Sequence, residues 1–170
     1  LDRLRNRFQV GVNQVDLIVP LLETFASDGK GHGRHVKQSG GHGQFAVCDI
    51  VVEPLPSGTG FEFVDKVVGG AVPNQFIGSV EKGIRAQMER GVLAGYPVCD
   101  IRGTRTDGKG HSVDSADVAF QMAGALALKD AAVGAQMSLL GPVLEIAVQV
   151  ADGYVGPVMS DLSGRRGRVL

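Results

Sequence analysis

The chain has 170 residues, 44% of them hydrophobic and 21% charged, which is enough apolar material for at least one ordinary core. A formal net charge of −1 excludes a global basic bias toward nucleic acid, so any such contact must come from a local patch. No apolar run approaches the roughly 20 residues that span a bilayer, and no signal-peptide core opens the chain, which points to a soluble, cytoplasmic protein.

Leu1, Leu4 and Phe8 fall on one helical face with no start signal before them, as the tail of a longer helix would. Val10 and Val12 then alternate with small or polar residues in strand fashion. "PLLETFASDG" reads as a strand or an irregular lead-in, and His32 to Ser39 as a strand weakened by its glycines. Ala46, Cys48, Ile50 and Val52 line one face of a stronger strand, with Asp49 and Glu53 on the other. "LPSGTG" is a turn, and Phe61 and Phe63 flank Glu62 in a short strand. Pro73 suits the first turn of a helix, in which Phe76, Val80, Ile84 and Met88 recur every fourth residue as far as Gly91, a C-terminal cap.

Val98 to Thr106 reads as a strand and "DGKGH" as the turn after it. Asp114 or Ser115 is then expected to cap a second helix, with Val118, Ala119, Met122 and Leu126 as its buried stripe. Leu144, Ile146, Val148 and Val150 alternate as a strand would, and Val155, Val158, Met159 and Leu162 follow at helical spacing before "SGRRGRVL". Tyr154 is expected to be a packing residue. Both ends read as pieces of neighbouring domains around one complete unit. The order of strands, helix, strand and helix predicts an α+β fold with helices on one face of a sheet. Cys48 and Cys99 sit in separate apolar segments and fit a reduced, buried state.

The stretch "GHGRHVKQSGGHGQ", residues 31–44, holds three of the four histidines and no carboxylate. A zinc site there lacks ligands: His32 and His35 are too close along a strand to share a face, and no cysteine or carboxylate completes the set. A nucleotide-type phosphate loop needs a lysine followed by serine or threonine, and the stretch has none. A small hydrolase built on His111, Ser112 and Asp114 rests on proximity in sequence alone. The bland reading is a solvated hairpin loop. The remaining one is a contact finger, in which Arg34, His35 and Lys37 lead into glycines whose bare N–H groups can approach phosphate oxygens. "RGTRTDGKGH" supplies a second such segment with Arg102, Arg105, Lys109 and His111. Two such segments at one end of a sheet would suit shape-directed contact with folded RNA.

The motifs "KQSGGHGQF", "GFEFVDKVVGGAVP", "GVLAGYPVCDI", "DGKGHSVDSADVAF" and "SDLSGRRGRVL" resemble, in this order, the C-terminal half of elongation factor G. The match covers nearly the whole chain. It implies that residues 1–16 end the third domain, 17–140 form the fourth domain, a ribosome-entering lever, and 141–170 begin the fifth. The implied architecture is a ribosomal-protein-like β-sheet with helices on one face, flanked by pieces of ferredoxin-like domains. Its β-α-β crossover would be left-handed, against the general rule.

The resemblance also implies a function. The parent protein would be a translational GTPase that drives translocation of tRNA and mRNA during elongation, with this region supplying the tip that enters the decoding site. That tip would comprise Gln38, Ser39, Gly40, Gly41, His42, Gly43 and Gln44, together with Asp107, Gly108, Lys109, Gly110, His111 and Ser112. His111 matches the family's tip histidine. The implied partners are the ribosome, through small-subunit rRNA and the tRNA–mRNA pair, and the protein's own upstream GTPase domain. GTP and Mg2+ would belong to that domain. No catalytic residue, metal ligand or cofactor is expected in this chain, and neither membrane nor DNA as a partner.

Four departures stand out. His42 occupies an arginine position of the family, Phe45–Ala46 a tyrosine–glycine pair, Leu21–Leu22 a tyrosine–arginine pair, and Lys109–Gly110 a serine–tyrosine pair. Histidine in place of arginine lowers the charge at neutral pH and removes a bidentate phosphate fork. The alternative is therefore a paralogous ribosome-binding GTPase acting in rescue, recycling or stress.

Overall fold

The computed structural model describes the chain apart from residues 1, 10, 12–15, 17, 40–41, 68–73 and 112–115; the side chains of 2–4, 38, 39 and 42 are likewise outside the description. The elements are α1 (Asp2–Phe8), β1 (Leu22–Phe25), β2 (Gly29–Ser39), β3 (His42–Pro54), β4 (Phe61–Asp65), a 3-10 turn (Asn74–Phe76) leading into α2 (Ile77–Arg90), β5 (Ile101–Gly110), α3 (Asp117–Gly134), β6 (Met137–Leu140) and α4 (Asp152–Gly164). The main sheet has the order β2-β3-β5-β4, antiparallel except for the parallel β4–β5 pair that α2 connects. β1 and β6 form a separate antiparallel pair. This is a mixed α+β fold, as expected, with α2 and α3 against one face of the main sheet.

The alternation along β3 sets the core. Ala46, Cys48, Ile50 and Val52 are buried beneath the helices, together with Phe76, Val80, Ile84 and Met88 of the α2 region and Ile101 of β5. Full burial of each larger aliphatic or aromatic side chain contributes about 1.5–3 kcal/mol. Gly91 ends α2 with a positive φ of 76°, and its N–H donates to Met88 O, which is the capping role the sequence suggested. Pro73, Asp114 and Ser115 lie outside the described residues. The residue before the first turn of α3 is Ala116, which makes no side-chain cap bond.

β2 corrects the reading of its glycines. The strand begins at Gly29 rather than His32, and its glycines are required by the helix above them. A Cβ at Gly29 would stand 2.5 Å from Ala131 O, and one at Gly31 or Gly33 would overlap Ala127 O or Ala123 O. Two strand residues advance about 6.7 Å and four helix residues about 6 Å, so the three contacts stay in step along both elements. The α2–α3 crossing works similarly, since a Cβ on Gly83 would overlap Gln121 O and one on Gly124 would lie 2.6 Å from Val80 O. There the Phe76 and Phe120 rings stack with centroids 4.8 Å apart.

The same geometry keeps Ala119 of the expected stripe of α3 and overturns its other three residues. Val118, Met122 and Leu126 are 55%, 44% and 37% exposed, whereas Ala119, Phe120, Ala123, Ala127, Leu128 and Ala131 are buried. The helix is apolar on most of its circumference, so periodicity does not choose a face; the glycine strand selects the small residues.

Glu23 is a buried residue with no motif around it. Its side chain is 0% exposed, and its carboxylate accepts N–H bonds from Val92, Leu93, Ala94 and Tyr96 at 2.6–3.0 Å. Its main chain bonds to Pro97 O and to the N–H of Cys99, and it forms a lone parallel bridge with Val98. Val98 therefore precedes the strand rather than opening it, and β5 starts at Ile101. Burial pushes the Glu23 carboxyl up, but the four N–H donors together hold it below its ordinary 4.5.

Several other expectations change at the C-terminal end. Residues 141–150 alternate in sequence but form no strand, and Val143, Leu144, Ile146, Val148 and Val150 are exposed; no partner strand faces them among the described residues. α4 matches its expected spacing, yet none of its residues is buried, and Tyr154 is exposed rather than packed. α1 is present, with Phe8 exposed. Val10 and Val12 lie outside the described residues.

Two stability experiments follow. Gly31→Ala should lower unfolding stability by at least about 2 kcal/mol, because neither a strand nor a helix backbone can give way cheaply. Gly78→Ala on α2, whose added Cβ meets nothing within 4 Å, should be neutral or stabilising by up to about 1 kcal/mol. Chemical denaturation of both variants measures this. Glu23→Gln should cost about 2–4 kcal/mol at neutral pH, since an amide turns donors toward donors. A carboxyl held low stabilises the fold above its unfolded pKa, and that contribution disappears as pH falls through the folded value. Wild-type stability should therefore drop below about pH 4.5 by more than that of Glu23→Gln in denaturant midpoints taken from pH 3 to 7.

Candidate nucleic-acid interface

The register of the sheet decides where the two glycine-rich segments lie. β2 and β3 pair continuously from Gly29↔Val52 to Ser39↔His42, so Gln38, Ser39, His42, Gly43 and Gln44 close the outer end of a long hairpin. Gly40 and Gly41 lie outside the described residues. β3 also pairs with β5, and at this end the partners are Ala46↔Gly110 and Val47↔Lys109. β5 therefore finishes alongside the start of β3, at the same end of the sheet as the hairpin.

The second segment differs from its sequence reading. Asp107 to Gly110 is not a turn after a strand; these residues belong to β5. The Asp-Gly signal coincides with a bulge, because Asp49 faces Asp107 while Ile50 faces Arg105, which leaves Thr106 as the extra residue. Asp107 bends back so that its Oδ1 accepts the Gly108 N–H at 2.7 Å. Gly108 is buried opposite Cys48 and belongs to the sheet interior, not to an exposed loop. Lys109 and His111 are exposed, and Gly110 is half-buried. Ser112 lies outside the described residues. The exposed basic side chains of this segment thus narrow to Lys109 and His111.

Several other charged groups of the sheet are paired. Arg105 is buried and forks onto Asp65, Nε at 2.9 Å and Nη2 at 3.2 Å, in the β4–β5 pair. Arg102 pairs with Glu62 at 2.8 Å. His32 Nδ1 sits 2.6 Å from Asp49 Oδ1 across the strands, and the main-chain N–H of His32 donates to Asp130 Oδ2 at 2.8 Å. His32 and His35 do point to opposite faces, and no group of metal-ligating side chains occurs among the described residues. The clefts along β2 are lined by residues such as Arg34, Leu126 and Asp130. Ser112 and Asp114 of the hydrolase reading lie outside the described residues.

His35 is a further residue of this end. Its Nε2 lies 3.0 Å from Gln44 Oε1, so Gln44 is turned partly inward along the sheet. The sequence grouped His35 with the cations of the finger, and nothing in the residue pattern singles out the pairing. Cys48 is fully buried and Cys99 partly so, both as free thiols. Burial raises the Cys48 thiol to about 12.

Residues 18–136 match the family model for elongation factor G, domain IV. The chain belongs to the elongation factor G family. Its full length aligns at 68% identity with an elongation factor G-like protein of Mycobacterium tuberculosis and at 47% with elongation factor G of Aquifex pyrophilus. In each case it covers 24% of the relative, so the chain spans about a quarter of the curated relatives it matches. A crystal structure from Thermus thermophilus superposes with a TM-score of 0.80 over 99% of this chain and 25% of that one, at 35% identity. The resemblance noted in the sequence is borne out. Among the described residues no helix is long and apolar enough to cross a membrane.

The thiols offer a direct check of the sheet interior. In a Cys99→Ser variant, Cys48 should resist alkylation at pH 8 in native protein and react fully in denaturant. Rapid native-state labelling, followed by mass spectrometry, would contradict the placement of β3 under α3.

Proposed function

We propose that this chain is the ribosome-contacting lever of a translational GTPase, with the hairpin end and the β5 end acting together as its tip. The observation that carries the reading is the shared end of the sheet: Gln44 and Ala46 of β3 link the hairpin to Gly110 on the other side. Glycines at the hairpin end give the backbone room to approach phosphate oxygens, while Lys109 adds a cationic contact and His111 a polar one. Such a surface reads RNA shape and backbone rather than sequence. The proposed tip comprises Gln38 to Gln44 and Asp107 to Ser112, with small-subunit rRNA and the tRNA–mRNA pair of the decoding region as partners. Within it, Asp107 and Gly108 serve as support, and Lys109 and His111 make contact.

The body behind the tip fits a lever. Close packing of α3 on β2 and of α2 on α3 couples the tip to the rest of the domain without a soft layer between them. In this reading residues 1–16 and 141–170 belong to the third and fifth domains of the parent factor. GTP and Mg2+ belong to its nucleotide domain, and hydrolysis there is coupled to translocation by the lever. The parent works in the cytoplasm.

A second reading is favoured by one comparison. The relative at 68% identity is named an elongation factor G-like protein, whereas the one named elongation factor G stands at 47%. With histidine in place of the family's arginine at position 42, this supports a paralogue that engages ribosomes in rescue, recycling or stress. A single-turnover translocation assay with the full-length parent separates the two. For the translocase, Lys109→Ala or His111→Ala should slow translocation several-fold, leave the melting temperature within about a degree, and reduce the salt dependence of ribosome binding. A parent that binds ribosomes but does not translocate supports the paralogue. Unchanged binding and unchanged rate in both variants would remove the tip from the function.

A further inference from the structure

We propose that His35 is a positioning residue: by gripping Gln44 it holds the outer end of the β2–β3 hairpin in line with the end of β5. This rests on the tip reading above.

The support that α3 gives β2 runs out at this point. Ala131 lies over Gly29, Ala127 over Gly31 and Ala123 over Gly33. Continuing in the same step, the next pair would be Ala119 with residue 35, which is histidine and not glycine. The first described residue of α3 is Asp117, so little of the helix remains to clamp the strand beyond it. His35 is therefore the first residue after the three glycines to place a side chain on the helix-facing side of β2. That side chain goes to Gln44 on the neighbouring strand, 3.0 Å away.

The register shows what the grip controls. His35 lies opposite Ala46, and Ala46 lies opposite Gly110, which makes one row across β2, β3 and β5. Ala46 and Gly110 offer no polar side chain for cross-strand bonding, so His35 is the residue of this row that can supply one. Gln44 is two residues farther out, opposite Lys37, and the bridge thus runs diagonally from the last supported row into the tip. Both partners are half-buried, where water competes less for the bond. The bond adds a side-chain tie to the ladder of the two strands, and a two-stranded ribbon by itself is marginal in water.

The bond needs a donor at the His35 ring nitrogen facing Gln44 Oε1, which a glutamine at position 35 can supply. The test uses the full-length parent with His35→Ala, His35→Gln and, as a control for the tip reading, Lys109→Ala. Three quantities are read: amide hydrogen exchange at Gly43 to Ala46, melting temperature, and single-turnover translocation. His35→Ala should speed exchange at those amides about fivefold and slow translocation by a similar factor, with melting unchanged. His35→Gln should restore both. Unchanged exchange at Gly43 to Ala46 in His35→Ala, or a His35→Gln variant as impaired as alanine, overturns the assignment. Slow translocation in Lys109→Ala but not in His35→Ala also overturns it while leaving the tip reading intact. If neither variant slows translocation, the tip reading fails, and the exchange data alone decide whether His35 orders the hairpin.

Discussion

The contact between the glycines of β2 and the alanines of α3 constrains everything else in this molecule. Three glycines at alternate strand positions meet three alanines at four-residue helical spacing, close enough that an added methyl would overlap the helix backbone. This fixes which face of α3 is buried, and through Gly83, Gly124 and the stacked Phe76 and Phe120 it fixes the place of α2. Overpacking at such a contact is costly, and close packing leaves few ways for the layers to slide. A hairpin held on a rigid seat can present its outer end to a large partner in a constant direction.

Buried charges fasten the remaining loops. The Glu23 carboxylate gathers four N–H groups of the segment after α2, and so ties β1 to the approach to β5. Asp100, strained at a φ of 55°, accepts the Gly60 N–H at 2.9 Å; this donor and its neighbours in the turn hold its carboxyl below the usual range. Arg105 and Asp65 clasp β5 to β4. Each of these uses a full charge where a neutral bond would be weaker. The arginines of β5 are thereby committed to structure. Lys109 and His111 lie exposed at the far end of the strand.

Much of the fold was legible in the residues because one-face burial writes a period into the chain. β3, β4 and α2 followed their alternation or four-residue spacing, and Gly91 marked the end of α2. α3 was misread because it is apolar on most sides, so the partner surface and not the helix chose its face. β2 was underrated because glycine lowers strand propensity, and a need for glycine appears only when the opposing backbone is in place. The Asp-Gly pair at 107–108 signals a turn in isolation but lies at a bulge within a strand. Glu23 and His35 have no local signature at all; their partners lie 69 to 73 and 9 residues away. The alternation of 144–150 is real, yet a strand requires a neighbour to pair with. The two glycine-rich motifs are visible in the sequence, whereas their convergence at one end of the sheet comes only from register.

In the proposed function the hairpin end and the β5 end form one RNA-facing surface. Directed hydroxyl-radical probing of ribosomes bound to the full-length parent tests it most directly, with an iron chelate tethered to a cysteine at position 38 or 109. Cys99 is replaced for this purpose and the buried Cys48 left in place. The account predicts cleavage of the same small-subunit rRNA segments from both positions, absent when the chelate is moved to position 133 on α3. Cleavage of unrelated segments from the two positions, or none from either while the factor remains bound, would contradict it.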